Sequence, residues 1–167
     1  GAANPCCRGN DMRHLLLAAA LMLATPAAAE EIGKIGVDWI GNDIIVEAIH
    51  DPKVGGVTCH LAYFERSVLD RLRQGNWFED PSNSAIECAR TGAIDISTIA
   101  TGRSGETVFS ESRSLIFKSL RVRRILDRQN RVLVYVAHAN ELTEGSAKMA
   151  ISTVALTAEE AGTAPAP

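Results

Sequence analysis

Between Glu30 and Leu156, apolar and polar positions mostly alternate with period two. That is the spacing of strands with distinct faces, not the 3.6-residue period of helices. Ile35, Val37 and Trp39 alternate with Gly36 and Asp38; beyond Gly41-Asn42, Ile44, Val46 and Ala48 alternate with Ile45, Glu47 and Ile49. Gly-Asn between two such runs predicts a hairpin. Asp51-Pro52 and Gly55-Gly56 punctuate a loop before a third strand that carries Val57, Cys59, Leu61 and Tyr63 on one face. Later strands are expected over residues 106–110, 114–126, 131–138 and 150–156, with Asp127-Arg128-Gln129-Asn130 as the turn joining the middle two. Val132, Val134 and Val136 alternate with Leu133, Tyr135 and Ala137, apolar on both faces, as in a strand central to a two-layer structure. Two helical signals interrupt the pattern. Ser67 with Asp70 suggests a capped turn through Val68, Leu69 and Leu72, ending at Gly75. Ser84 with Glu87 three residues on suggests a helix to Gly92 that carries Cys88. The expected fold is mainly β: an antiparallel sandwich or partly open barrel with one or two short helices and one disulfide.

The ends read differently. Met12 and Arg13 open a basic stretch, Leu15 to Ala24 form an apolar run of ten residues, and Pro26 breaks it. Ala27 and Ala29 then give the small-x-small pattern of a signal-peptidase site, so cleavage is predicted after Ala29. Ten apolar residues are about half of what a membrane-spanning helix needs. No cysteine directly follows the run, so no lipid anchor and no stable membrane anchor is expected after cleavage. Residues 1–11, with Cys6 and Cys7, precede Met12 and are set aside from fold reasoning. At the other end, residues 157–167 (TAEEAGTAPAP) hold no apolar side chain larger than alanine and are expected to be a disordered tail. The division is therefore 1–29 as upstream extension and signal peptide, 30–156 as one β-rich domain, and 157–167 as tail.

Composition narrows the chemistry. The hydrophobic content of 46% is enough for a core, which excludes disorder of the whole chain. A formal charge of -3 supplies no field to gather nucleic acid or an anionic membrane, so no nucleic-acid partner is expected. Cys59 and Cys88 are the two cysteines beyond Ala29, and in an exported domain they are read as a structural disulfide closing a loop of about 30 residues. Cys59 cannot use His60 as a base without a bulge, because neighbours on a strand point to opposite faces. No C-x-x-C motif supports a redox role. His50, His60 and His138 are scattered over separate strands without metal-ligand spacing, so no metal and no cofactor is expected. Glu144-Gly145-Ser146-Ala147-Lys148 lacks the S-x-x-K spacing of a Ser/Lys pair, and no phosphate loop or G-x-S-x-G elbow occurs.

The most unusual charge feature is a basic run: Arg113, Lys118, Arg121, Arg123, Arg124, Arg128 and Arg131, with Asp127 the one acid among them. On a strand Arg121 and Arg123 share a face, a pair suited to carboxylate or phosphate groups. The plainer reading is a solvated strand face balanced by scattered acids such as Glu141 and Glu144.

Several stretches in order, EEIGKIGVDWIGNDIIVEAIHDP, GVTCHLAYF, SAIEC, LIFKSLRVRRILD, RVLVYVAHA and EGSAKMAIS, resemble the CreA family of small exported bacterial proteins, which is distinct from the fungal repressor of the same name. The resemblance covers almost all of the chain beyond Ala29. Ala93 and Ala147 stand where members often carry proline, and SVLDRLRQG occupies a region that is Gly-rich in some. The resemblance implies a signal peptide, a periplasmic address, a cysteine pair and a name tied to catabolite regulation through a neighbouring sensor system. It brings no catalytic residues. The expectation is a non-enzymatic binding or regulatory protein of the envelope, with Arg121 and Arg123 contacting an envelope protein or a small anionic ligand. The alternatives are an enzyme acting on an envelope substrate through a cleft assembled from several strands, and a structural accessory of a larger envelope partner.

Overall fold

The computed structural model describes residues 29–39, 43–65, 84–109, 115–118, 120–140 and 149–166. Alternation becomes two four-stranded antiparallel sheets. The first runs β1 (Glu30–Gly36), β2 (Asp43–His50), β3 (Val57–Glu65), β4 (Ser84–Arg90), each strand paired with its neighbour in sequence. The second repeats that order with β5 (Glu106–Thr107), β6 (Leu120–Asp127), β7 (Val132–Ala139) and β8 (Met149–Ala155). Consecutive antiparallel pairing needs only short connections, as between β2 and β3 (residues 51–56) and between β6 and β7 (residues 128–131), although the β3–β4 and β5–β6 connections are longer.

The register decides which parity is buried. In the first sheet Ile45 and Ile49 lie opposite Tyr63 and Cys59, and Leu61 lies opposite Ile86, so one face gathers Ile45, Ile49, Cys59, Leu61, Ile86 and Cys88. In the second, Val122 faces Ala137 and Leu133 faces Val154. The two inner faces share one core with Ile94, Ile96, Phe109 and Ile116 from the connections. β7 holds Leu133, Tyr135 and Ala137 fully inward, whereas Val132, Val134 and Val136 are half-buried. Among the described residues, then, β7 is central to its sheet but covered on one face only.

Five expectations change. The first strand, expected through Val37 and Trp39, is instead Glu30–Gly36 and ends before them. Residues 84–90 are a strand and not a helix: Ile86 and Cys88 point inward while Ala85, Glu87 and Ala89 point outward, and this period of two outweighs the Ser84/Glu87 capping pattern. The strand expected from Ser114 begins later, at Leu120, after a 3-10 turn over Leu115–Lys118. The strand expected over 106–110 is the two-residue β5. Where a disordered tail is expected, residues 157–166 are ordered against the sheets, with a helix α1 at Ala158–Gly162. Thr157 caps α1 by accepting from the Glu160 backbone N–H, and the Glu160 side chain accepts in return from the Thr157 N–H. The helical turn expected from Ser67 and the Glu144–Lys148 loop lie outside the described residues, as do the Gly41-Asn42 turn and residues 1–28.

Cys59 and Cys88 stand directly opposite each other in the β3–β4 ladder, with sulfurs 2.08 Å and Cα atoms 3.9 Å apart. So close a Cα pair belongs to the non-hydrogen-bonded positions of an antiparallel ladder, where the N–H and C=O of each residue point away from its partner. Those of Cys88 meet the Ser152 hydroxyl of β8, which accepts from Cys88 N (2.7 Å) and donates to Cys88 O (3.5 Å). Arg90 extends this seam to the Ala155 carbonyl (2.6 Å), so β4 and β8 meet without a shared ladder and the two sheets do not close into a barrel.

Candidate functional site

The arginines of β6 are divided by the pleat. Leu120, Val122 and Arg124 face inward, while Arg121 and Arg123 face out. Arg124 is almost fully buried at 2% side-chain exposure, and Asp51, at 0%, meets it from the β2–β3 loop. Arg124 Nη1 donates to both Asp51 carboxylate oxygens, and Nη2 donates to Glu106 Oε2 at 2.7 Å. The Tyr135 hydroxyl donates to Asp51 Oδ2 at 2.8 Å. Asp51 Oδ1 also accepts from the backbone N–H groups of Lys53 (2.9 Å) and Val54 (3.1 Å), the turn that Asp-Pro initiates. Lys53 Nζ pairs with Glu106 at the rim.

This network ties the loop after β2 to β5, β6 and β7. Burial and then the adjacent Asp51 carboxylate push the Tyr135 phenol well above the ordinary tyrosine range, so it stays a hydrogen-bond donor. Burial opposes ionisation of Glu106. The Lys53 ammonium, the Ala100 N–H and the Arg124 guanidinium outweigh it and hold the carboxyl below its usual range. Gly105, at φ +68°, lets β5 come this close: a Cβ there would lie 2.6 Å from the Arg124 carbonyl oxygen. With Arg124 and Asp51 buried and the Arg124 charge met by two carboxylates, though its Nε is buried without a hydrogen-bond partner among the described residues, the network is built to hold the sheets together. Sequence reasoning placed Arg124 among the solvated arginines and read Asp51 only as a turn residue.

Arg121 and Arg123 sit on the outer face, as expected, but each is steered by local acceptors. Arg121 Nε donates to Asn140 Oδ1 (2.8 Å); Arg123 donates through Nε to Ser104 O (2.7 Å) and through Nη2 to Gly105 O (2.9 Å). Neither is paired with a carboxylate among the described residues. The register sets them in rows across three strands: Arg121 beside His138 beside Met149, then Arg123 beside Val136 beside Ile151, then Ile125 beside Val134 beside Thr153. Met149 and Ile151 are 73% and 65% exposed. The sequence showed the arginines but not that aliphatic side chains lie across the sheet from them.

The other residues weighed for chemistry are separate. Cys59 is buried at 0% while the His60 side chain is on the opposite face, half-exposed between Ala48 and Glu87. His50 Nδ1 bonds the Thr58 hydroxyl at 3.0 Å and His138 Nδ1 donates to the Ala139 carbonyl at 2.8 Å. Among the described residues, no three metal-binding side chains converge.

Against this geometry the comparisons are direct. The model of the family described as CreA protein matches residues 32–159. The chain belongs to the CreA family. Protein CreA of Escherichia coli strain K12 is 41% identical over 150 residues, covering 85% of this chain and 94% of the relative, and Protein CreA of Escherichia coli O157:H7 gives the same figures. No solved structure matches. The family match runs past the last strand to Glu159, inside α1.

Proposed function

We propose that this CreA family member is an exported, periplasmic protein that binds and does not catalyse, engaging an anionic ligand or an acidic envelope partner through the outer face of its second sheet. The observation that carries the reading is the contrast along β6. The inward Arg124 is neutralised by Asp51 and Glu106, while the outward Arg121 and Arg123 are held by neutral acceptors and keep their charge uncompensated among the described residues. Guanidinium groups fixed through part of their donors retain others for carboxylate or phosphate oxygens. Export is supported by the apolar run Leu15–Ala24, by the small-x-small pattern of Ala27 and Ala29, and by the buried Cys59–Cys88 bond, which suits an oxidising compartment.

Two experiments test the two halves. Arg121→Glu with Arg123→Glu should abolish retention of anionic envelope components; retention equal to the unaltered protein would remove the binding face from consideration. Intact-mass analysis of protein recovered from cells should give a chain starting at Glu30, with two thiols alkylated only after reduction. An uncleaved chain with free thiols would refute export.

A further inference from the structure

We infer that the occupant of this face is a bilayer surface carrying anionic phospholipid, on which the protein docks reversibly; this rests on the reading of Arg121 and Arg123 as an anion-binding pair. A lipid surface offers phosphates in one layer and acyl chains just beneath, so a docking face needs cations and aliphatic side chains that reach one plane together. The whole chain, at a formal charge of -3, has no field toward an anionic membrane, but one face of one sheet supplies these groups locally. Neighbouring strands lie about 4.8 Å apart, so the rows put Arg121 and Arg123 along β6 and Met149 and Ile151 along β8 within about 10 Å, with Val136 between. Across those rows and the next, Asp127 is the one acid, and its carboxylate accepts from the Asn130 backbone and side chain.

The molecule contains an internal control. A larger apolar group, Ile32, Ile35, Val37 and Trp39, is exposed on and beyond β1 at 52 to 94%. Lys34, the cation on β1, is held by Asp43 (2.9 Å) and Glu65 (3.0 Å), so among the described residues of that strand no positive charge is left for phosphates. Of these two apolar regions, among the described residues, the one on β7 and β8 alone combines aliphatic exposure with guanidinium groups that no carboxylate pairs. A tight protein interface is less suited to this face, because its rows contain no tyrosine or tryptophan to anchor a partner.

The test is sedimentation of the protein recovered from cells with vesicles of phosphatidylcholine, or of phosphatidylcholine with about a third replaced by phosphatidylglycerol. Binding is expected to the second and not the first, and to weaken with salt. Arg121→Glu with Arg123→Glu should lower partitioning at least about tenfold, and Met149→Ser with Ile151→Ser about tenfold. Ile35→Ser should leave it unchanged, and circular dichroism should show each variant folded. Absence of binding to both vesicles, or full binding by the Met149/Ile151 variant, overturns the inference. Titration with soluble glycerol phosphate, and crosslinking from the same face to acidic proteins, separate the two levels. Arginine-dependent binding of either without vesicle binding rejects the bilayer and keeps the anion-binding reading, whereas loss of all three rejects both.

Discussion

Asp51 receives five hydrogen bonds in the interior: two from Arg124 Nη1, one from Tyr135 and two from the turn backbone. Two buried charges are costly to desolvate, so the pair contributes through geometry more than through raw Coulomb energy. Removing one side leaves the other buried and unpaired. Asp51→Asn is expected to destabilise by roughly 3 to 5 kcal/mol, and Tyr135→Phe by about 1 to 2 kcal/mol, both read by urea denaturation. Because the two act on one carboxylate, their effects should not add. A cost below about 1 kcal/mol for Asp51→Asn would mean that the network is not the junction described. The pair was legible in principle. In LRVRRILD the apolar Leu120 and Val122 fix the inward parity, and Arg124 has it. Counting arginines by composition hid that parity, and nothing local to Asp51 reveals a partner 73 positions away.

At the level of elements, the tail shows why composition misled. Residues 157–166 bring little apolar area, yet Glu160 accepts from Arg90 Nη1 at 2.6 Å and Nη2 at 2.9 Å and from the Ile94 N–H at 3.2 Å, while Ala161 and Ala164 pack on the core. Order here comes from specific polar contacts to β4 and its following loop, which no window of the tail sequence contains. The Arg90 guanidinium first, then the Thr157 N–H, lowers the Glu160 carboxyl to about 2. The sign follows from a folded value below the unfolded one. The contribution is complete above the usual glutamate range near 4.5 and is lost as the pH falls through about 2. Glu160→Gln should therefore expose the C-terminal residues to carboxypeptidase at pH 6 to 7, and the difference from the unaltered protein should shrink steadily in acid between about pH 5 and 2. A difference that grows on acidification would contradict the ion pair. The strands were the legible elements, since β2, β3, β6, β7 and β8 follow alternation to within a few residues. β4 was missed because Ser84-x-x-Glu87 imitates a capping box over a stretch whose inward positions, Ile86 and Cys88, already have a period of two.

For the molecule as a whole, the mainly β, two-sheet architecture was readable from turn spacing, but how the sheets join was not. The seam depends on which parity of Cys88 faces β3 and which faces β8. Sulfur crosses to Cys59 on one side of the strand, and the Cys88 backbone crosses to Ser152 on the other. The disulfide constrains a 29-position separation and should contribute roughly 3 to 4 kcal/mol by limiting the unfolded chain. With Cys59 0% and Cys88 2% exposed, a reductant has to wait for the sheets to open, so native-state reduction should run no faster than unfolding. Ser152→Ala leaves the Cys88 N–H buried without its acceptor and should cost about 1 to 3 kcal/mol. The two devices act on the same residue of the same strand. Without the disulfide, β4 can shift to shield its unpaired N–H, so Ser152→Ala should cost less in the reduced protein than in the oxidised one. Equal costs in the two states would show that the sulfur bridge and the serine seam hold β4 independently.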